Sequence, residues 1–288
     1  MNREQLAIRV SRNTMITNTL LAVFMLAAAF YGRSAAIFSD AINTVADVFS
    51  TFIVIIGIKM AAKQADREHP YGHERFECVS AIILAIILGL TGASIGYSGI
   101  HTITGGNFQL EAPGIFALVA AFVSILVKEG MYRYTKAVAD KIESGSLKAD
   151  AWHHRSDALS SIASLLGVAG ARMGIPVLDS VASVVISLAV IKAAYDIFKD
   201  AVGKMTDHAC DDTIENAIRE LVLAQDSVLN IDLLNTRIFG DKIYVDVEIS
   251  VNGEISLAES HKIAHAVHDA IEQSFPKVKH CMVHTNPA

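Results

Sequence analysis

The sequence predicts a membrane-embedded all-α bundle of six helices followed by a cytoplasmic α+β domain of element order α-β-β-α-β, on three observations. The 288 residues are 52% hydrophobic and 19% charged, with a mean hydropathy of +0.40, too apolar for an ordinary soluble domain. Six apolar runs have lengths suited to crossing about 30 Å of hydrocarbon. From about Thr206 these runs stop and charged, periodic segments replace them, which divides the chain into 1–205 and 206–288.

The apolar runs lie near 13–32, 35–60, 78–103, 113–134, 155–173 and 177–198. Arg3, Arg9 and Arg12 precede the first, and no small-residue cleavage site follows it, so it reads as a spanning helix rather than a removed signal. Lys63, Arg67 and Arg75 occupy segment 60–77, and Arg133, Lys136, Lys141 and Lys148 occupy 133–150, whereas 102–112 holds neither Lys nor Arg. By the positive-inside rule the basic segments and both termini face the cytoplasm, as expected of a multi-pass protein of the cell membrane.

In the tail, 211–225 has helical spacing with acids in its first turn, and 243–251 (IYVDVEISV) alternates with the period of a half-buried strand. Asn252-Gly253 supplies a turn, and 256–275 is a helix opened by a Ser-x-x-Glu capping box. Strands near 230–238 and 279–284 complete a sheet with two helices on one face. Cys78, Cys210 and Cys281 are far apart and form no CxxC pair, so neither a disulfide framework nor a thiolate zinc site is indicated. A net charge of −6 gives no sign of nucleic-acid binding.

Two triplets stand out against this apolar background, Asp40/Asn43/Asp47 and Asp150/His153/Asp157. Positions i, i+3 and i+7 share a helix face, so each triplet is a polar stripe about two turns long. An ionised side chain near the bilayer centre costs roughly 2.5–3.5 kcal/mol on insertion scales, which directs such stripes to the bundle interior and to a function there. Asn43 with Asp47 and His153 with Asp157 each present two donor groups one turn apart. Two such pairs on facing helices supply four ligands, enough for a tetrahedral metal site.

On these residues the sequence resembles the cation diffusion facilitator family over essentially its whole length. Members carry a His/Asp/Asn-x-x-x-Asp pair on each of these helices, which matches Asn43/Asp47 and His153/Asp157 and leaves Asp40 and Asp150, one turn away, as candidates to support the ligands or to pass protons. The resemblance implies export of a divalent transition metal from the cytoplasm in exchange for protons, a homodimer, and a metallochaperone-like tail. An amide oxygen with two carboxylates is a hard donor set that tilts the expectation to Mn²⁺ or Fe²⁺, while His153 suits Zn²⁺ and keeps a zinc-selective carrier as the alternative.

The resemblance further implies a loop metal site at Asp66, His69 and His73, and an interdomain charge pair of Arg75 with Asp207. In the tail the matching positions are Asp232, Glu248, His261, His284 and Asn286; acids replace His at the first two and an amide replaces Asp at the last, which weakens the expectation of a regulatory zinc pair there. A membrane metalloenzyme is disfavoured because neither a His-Glu-x-x-His stretch nor a nucleophile elbow is present, so no catalytic residue or catalytic cofactor is expected. A non-transporting metal-binding partner is the remaining alternative.

Overall fold

The structure, a computed structural model, describes residues 3–32, 35–105, 115–172 and 177–288. Among them are six long helices, α1 (Arg3–Gly32), α2 (Ala35–Ala61), α3 (Arg75–Gly105), α4 (Ile115–Ile142), α5 (Gly145–Arg172) and α6 (Val177–Met205). After these come α7 (Asp212–Leu223), β1 (Asn230–Phe239), β2 (Lys242–Val251), α8 (Leu257–Ser274) and β3 (Val278–Pro287), the element order the sequence predicts.

The long helices outrun their apolar windows. The shortest, α2, has 27 residues, about 40 Å at 1.5 Å per residue, so helix ends reach past the hydrocarbon into the polar interface. The basic segment 133–150 is accordingly not a loop: α4 continues to Ile142 and α5 starts at Gly145, joined through Glu143, which has φ 52°. Most of the segment 102–112 lies outside the described residues. By length and composition alone, three described helices qualify as spans, Arg3–Tyr31, Asp40–Ala61 and Arg75–Gly105. Within their apolar stretches α4 and α5 carry Lys128, Glu129 and Asp157. Large apolar side chains such as Leu20, Phe49, Phe122 and Leu188 are exposed, as a lipid-facing surface requires.

Close backbone approach holds part of this bundle together. Gly92, Gly96 and Gly99 form a stripe on α3 against α6, and a Cβ at Gly99 would lie 2.9 Å from the Ser180 carbonyl oxygen. Small residues at such spacing let membrane helices pack through van der Waals contact, which replaces the hydrophobic effect that lipid removes.

The chain divides into two compact units, Met1–Val202 and Gly203–Ala288. In the second, β2 is central, antiparallel to β1 and parallel to β3, and α8 supplies the crossover that parallel pairing needs. Gly240, at φ 66°, turns the β1–β2 hairpin. Ser256 and Glu259 form the expected reciprocal capping box on α8. Ile218 and Val222 of α7, Val267 and Ile271 of α8, and Val245, Val247 and Ile249 of β2 form the core. β3 runs to Pro287 because Ser250 and Val251 of β2 pair with Asn286 and Pro287, a length set by pairing rather than by its own sequence.

Cys281 is 2% exposed in that core. Burial, with Glu272 and Asp246 nearby, pushes its thiol up to about 12, far above the ordinary cysteine value near 8.5. Peptide mass spectrometry after iodoacetamide treatment at pH 8 is therefore expected to find Cys281 unlabelled in the folded protein and labelled after denaturation. Equal labelling in both states would contradict this packing.

Candidate metal centre

The donors on α2 and α5 meet in the interior of the first unit. Helical spacing puts Asp47 and Thr51 one turn apart on α2, and Asp150, His153 and Asp157 along one face of α5. Asp47 is 3% exposed and His153 8% exposed, and His153 Nε2 lies 3.0 Å from Asp47 Oδ1. Asp47, His153 and Asp157 each offer a ligand atom, and all three atoms lie within 4.8 Å of one another. Three of the four expected donors thus converge. Asn43, the fourth, is exposed and lines a cavity beside them.

A residue that the sequence reading passed over completes the cluster. Lys128 of α4 is 4% exposed, and its Nζ donates to Asp47 Oδ2 at 3.0 Å and to Asp157 Oδ2 at 2.9 Å. An ammonium bridging two carboxylates ties α2, α4 and α5 together at one point. The signal was present, since a lysine inside the run 113–134 is as costly as the carboxylates that drew attention. What was missing was the fact that α4 faces the same interior.

The cavity has a volume of about 550 Å³ and is lined by Asp40, Asn43, Ser94, Ser124, Lys128, Asp157 and Ser161, among others. Its walls come from Asp40, Asn43 and Thr44 of α2, Ser124 and Lys128 of α4 and the middle turns of α3 and α5, so it adjoins the cluster on the side that carries Asp40. On the opposite side of the cluster the described residues are packed, with Val54, Leu84, Leu88 and Leu147 buried. Asp150 and His154 are both 0% exposed, which places Asp150 well inside the protein rather than at a solvated helix end. Thr51 Oγ1 donates to Asp150 Oδ1 at 3.1 Å, while Asp150 Oδ2 is buried without a hydrogen-bond partner.

The connection between α2 and α3 carries a second cluster. His69 O accepts the Gly72 N–H at 3.0 Å across Pro70, and Gly72 takes φ 101°. This turn brings Asp66 Oδ2 to 3.5 Å from His73 Nε2, and Asp66 Oδ1 to 3.7 Å from His69 Nδ1. Such separations are too long for hydrogen bonds. They are close to the about 3.3 Å between neighbouring donors on a tetrahedral ion with bonds of 2.0–2.1 Å, so the three side chains fit a zinc-type ion. The Lys63 ammonium, with the N–H groups of His69 and Glu68, holds the Asp66 carboxyl well below the usual carboxylate range.

In the second unit the tail candidates are more dispersed. Asn286 Nδ2 donates to Asp232 Oδ2 at 3.0 Å and to Glu248 Oε2 at 3.3 Å, and Ser250 Oγ also donates to Asp232. Amide and hydroxyl donors thus satisfy the carboxylates, and they hold Asp232 below the ordinary carboxylate value. His284 pairs with Glu248 across the β2–β3 ladder, and His261 is exposed on α8 beside His265. Among the described residues, only the Asp47 and Asp66 clusters bring three acidic, His or Cys ligand atoms within 4.8 Å of one another. Arg75 opens α3 in the first unit, whereas Asp207, at φ 58°, follows α6 in the second.

Comparisons with known proteins cover the chain. A family model described as the cation efflux transmembrane domain matches residues 14–205, and one described as the cytoplasmic domain of cation efflux proteins matches 210–288. An uncharacterized transporter of Methanocaldococcus jannaschii is 34% identical over 273 residues, 95% of each chain. Metal tolerance protein 2 of Oryza sativa subsp. japonica is 32% identical over 301 residues, 96% of this chain and 77% of that one. The manganese efflux system protein MneP of Bacillus subtilis is 27% identical over 292 residues, 99% of this chain and 97% of that one.

Thr51→Val keeps the side-chain shape but removes the one hydrogen bond that the Asp150 carboxylate accepts among the described residues, leaving it with His154 Nε2 at 3.7 Å. An unsatisfied buried acceptor costs about 1–3 kcal/mol, so a lowered thermal midpoint in detergent is expected, with Thr51→Ser close to wild type. An unshifted midpoint in Thr51→Val would show that Asp150 does not depend on this bond.

Proposed function

Since this chain belongs to the cation diffusion facilitator family of metal transporters, we propose that it exports Mn²⁺, or secondarily Fe²⁺ or Zn²⁺, from the cytoplasm in exchange for protons, as a homodimer. The observation that carries this reading is the buried convergence of Asp47, His153 and Asp157. Two carboxylates and one imidazole inside an apolar bundle are a divalent-cation donor set. With Asn43 on the adjoining cavity wall, an amide oxygen is at hand as a fourth ligand.

The chemistry of exchange follows from the donors. Ligands must shed protons to bind a metal, so metal and protons compete for the same imidazole and carboxylates. Asp40, on the cavity wall, and Asp150, on the closed side, are placed to pass protons or ions along the α2 and α5 stripes. With the basic segments on the cytoplasmic side, the Asp40 end of the bundle faces outward and the cavity is the release path. Reopening toward Asp150 and His154 then completes alternating access. The loop cluster Asp66, His69 and His73 is proposed as a capture or regulatory site for Zn²⁺. Arg75 and Asp207 remain a proposed interdomain charge pair, whose role would be geometric.

The hardness of the donor set favours manganese, and the manganese efflux protein among the relatives supports the same choice. Zinc is the second reading, favoured by the imidazole of His153. As a member of a transporter family the chain is not an enzyme. The tail, which matches the cytoplasmic domain of cation efflux proteins, supports dimerisation without any need for a metal between its carboxylates.

Purified protein in proteoliposomes is expected to move Mn²⁺ against an imposed proton gradient, with Asp157→Ala reducing uptake to the level of protein-free vesicles. Uptake by Asp157→Ala equal to wild type would remove the site assignment. Across Mn²⁺, Fe²⁺, Zn²⁺, Co²⁺ and Cd²⁺, Asn43→His is expected to shift the ranking toward Zn²⁺, because an imidazole replaces the hard amide oxygen. An unchanged ranking would detach selectivity from Asn43.

A further inference from the structure

We infer that Lys128 is a tethered competitor of the transported cation: its ammonium and the metal share Asp47 and Asp157, and binding of one displaces the other. The inference rests on the reading of Asp47, His153 and Asp157 as the transport site and adds a residue and a mechanism to it.

The geometry is specific. Nζ lies 3.0 Å from one carboxylate and 2.9 Å from the other, on two different helices, and the side chain is 4% exposed. No single i,i+4 contact on one helix would produce this; α4 presents the lysine to a pair of acids assembled by α2 and α5. Counting formal charges with His153 neutral, two carboxylates and one ammonium sum to −1. A divalent ion in place of the ammonium brings the donors to 0, but a divalent ion beside the ammonium leaves +1 in a buried site. Like charges at contact distance repel strongly where the effective dielectric is far below that of water. Metal and Lys128 therefore exclude one another from the carboxylate pair.

Lysine suits this role better than arginine. Its charge is a point at the end of a flexible four-carbon stem, whereas a guanidinium would clamp carboxylates through a rigid fork. Lys128 also lines the cavity of about 550 Å³ whose wall includes Asp40, Asn43 and Ser124. The displaced ammonium thus has a polar space and another carboxylate on its own side of the cluster. Competition of this kind weakens metal binding, and weaker binding favours release. After release the returning ammonium neutralises one of the two carboxylates, so the site does not carry both charges uncompensated through the bundle.

The test compares full-length wild type with Lys128→Met, Lys128→Gln, Lys128→Arg and Asp157→Ala in Mn²⁺ titrations in detergent. The Asp157→Ala titration reports binding at all other sites and is subtracted. Lys128→Met and Lys128→Gln are expected to bind Mn²⁺ at the Asp157-dependent site roughly tenfold tighter or more, because a competing charge at contact distance is gone. Lys128→Arg, which keeps the charge, is expected to show no gain. Affinity in Lys128→Met and Lys128→Gln equal to or weaker than wild type, or a matching gain in Lys128→Arg, would overturn the inference. A purely architectural lysine predicts the first of these results. Full binding retained by Asp157→Ala is a different failure, which removes the site reading itself.

A measurement on the wild-type protein keeps the inference testable even where a variant does not fold. Acetylation of Lys128 by acetic anhydride, read by peptide mass spectrometry, is expected to rise on Mn²⁺ addition as the ammonium leaves the carboxylates. Labelling that is unchanged or reduced by Mn²⁺ contradicts displacement.

Discussion

Everything in the first unit is organised around charge compensation in a place that solvates charge poorly. Asp47 and Asp157 come from different helices, and neither is tolerable deep in an apolar bundle without a cation within contact distance. Lys128 supplies that cation from a third helix. The three helices meet at one cluster of opposite charges, and each must present one face there. The stripe on α2, the stripe on α5 and the lysine on α4 are three expressions of this single constraint.

The same constraint gives the interior its asymmetry. On one side the cluster adjoins a polar cavity lined by serines, Asn43 and Asp40; on the other it is backed by the buried Asp150, which accepts from Thr51, and by the buried His154. The interior is thus polar and open on one side of the cluster and packed with buried residues on the other. The Asp150 side is packed by a buried apolar cluster that includes Val10, Val54, Ile58, Leu84, Leu88 and Leu147.

The second unit has a different physical character. Its core is ordinary hydrophobic burial around the central strand β2, covered by α7 and α8, and its carboxylates are satisfied by amide and hydroxyl donors. The acids at Asp232 and Glu248 therefore have amide and hydroxyl partners, whereas in the loop cluster Asp66 is held by the Lys63 ammonium and by the N–H groups of Glu68 and His69. There Asp66, His69 and His73 stand at donor spacings that hydrogen bonding does not explain.

By itself the sequence determined the element order and the capping box at Ser256, and it marked a change of composition near Thr206 and the pairs Asn43/Asp47 and His153/Asp157 as candidates. Each of these depends on local spacing, whether a 3.6 or a 2 period, a three-residue cap or a change of composition. Helix ends were less legible, because hydropathy marks where lipid is and not where the backbone stops being helical. The length of β3 depends on its partner strand. Lys128 and Asp150 needed the tertiary structure most. A lone lysine in an apolar run acquires its meaning only when a third helix brings it between two acids. An acid near a polar helix end becomes an interior group only once a neighbouring helix has covered it. Local periodicity shows which face a residue occupies, but only packing decides what that face meets, and ionic contacts are formed there.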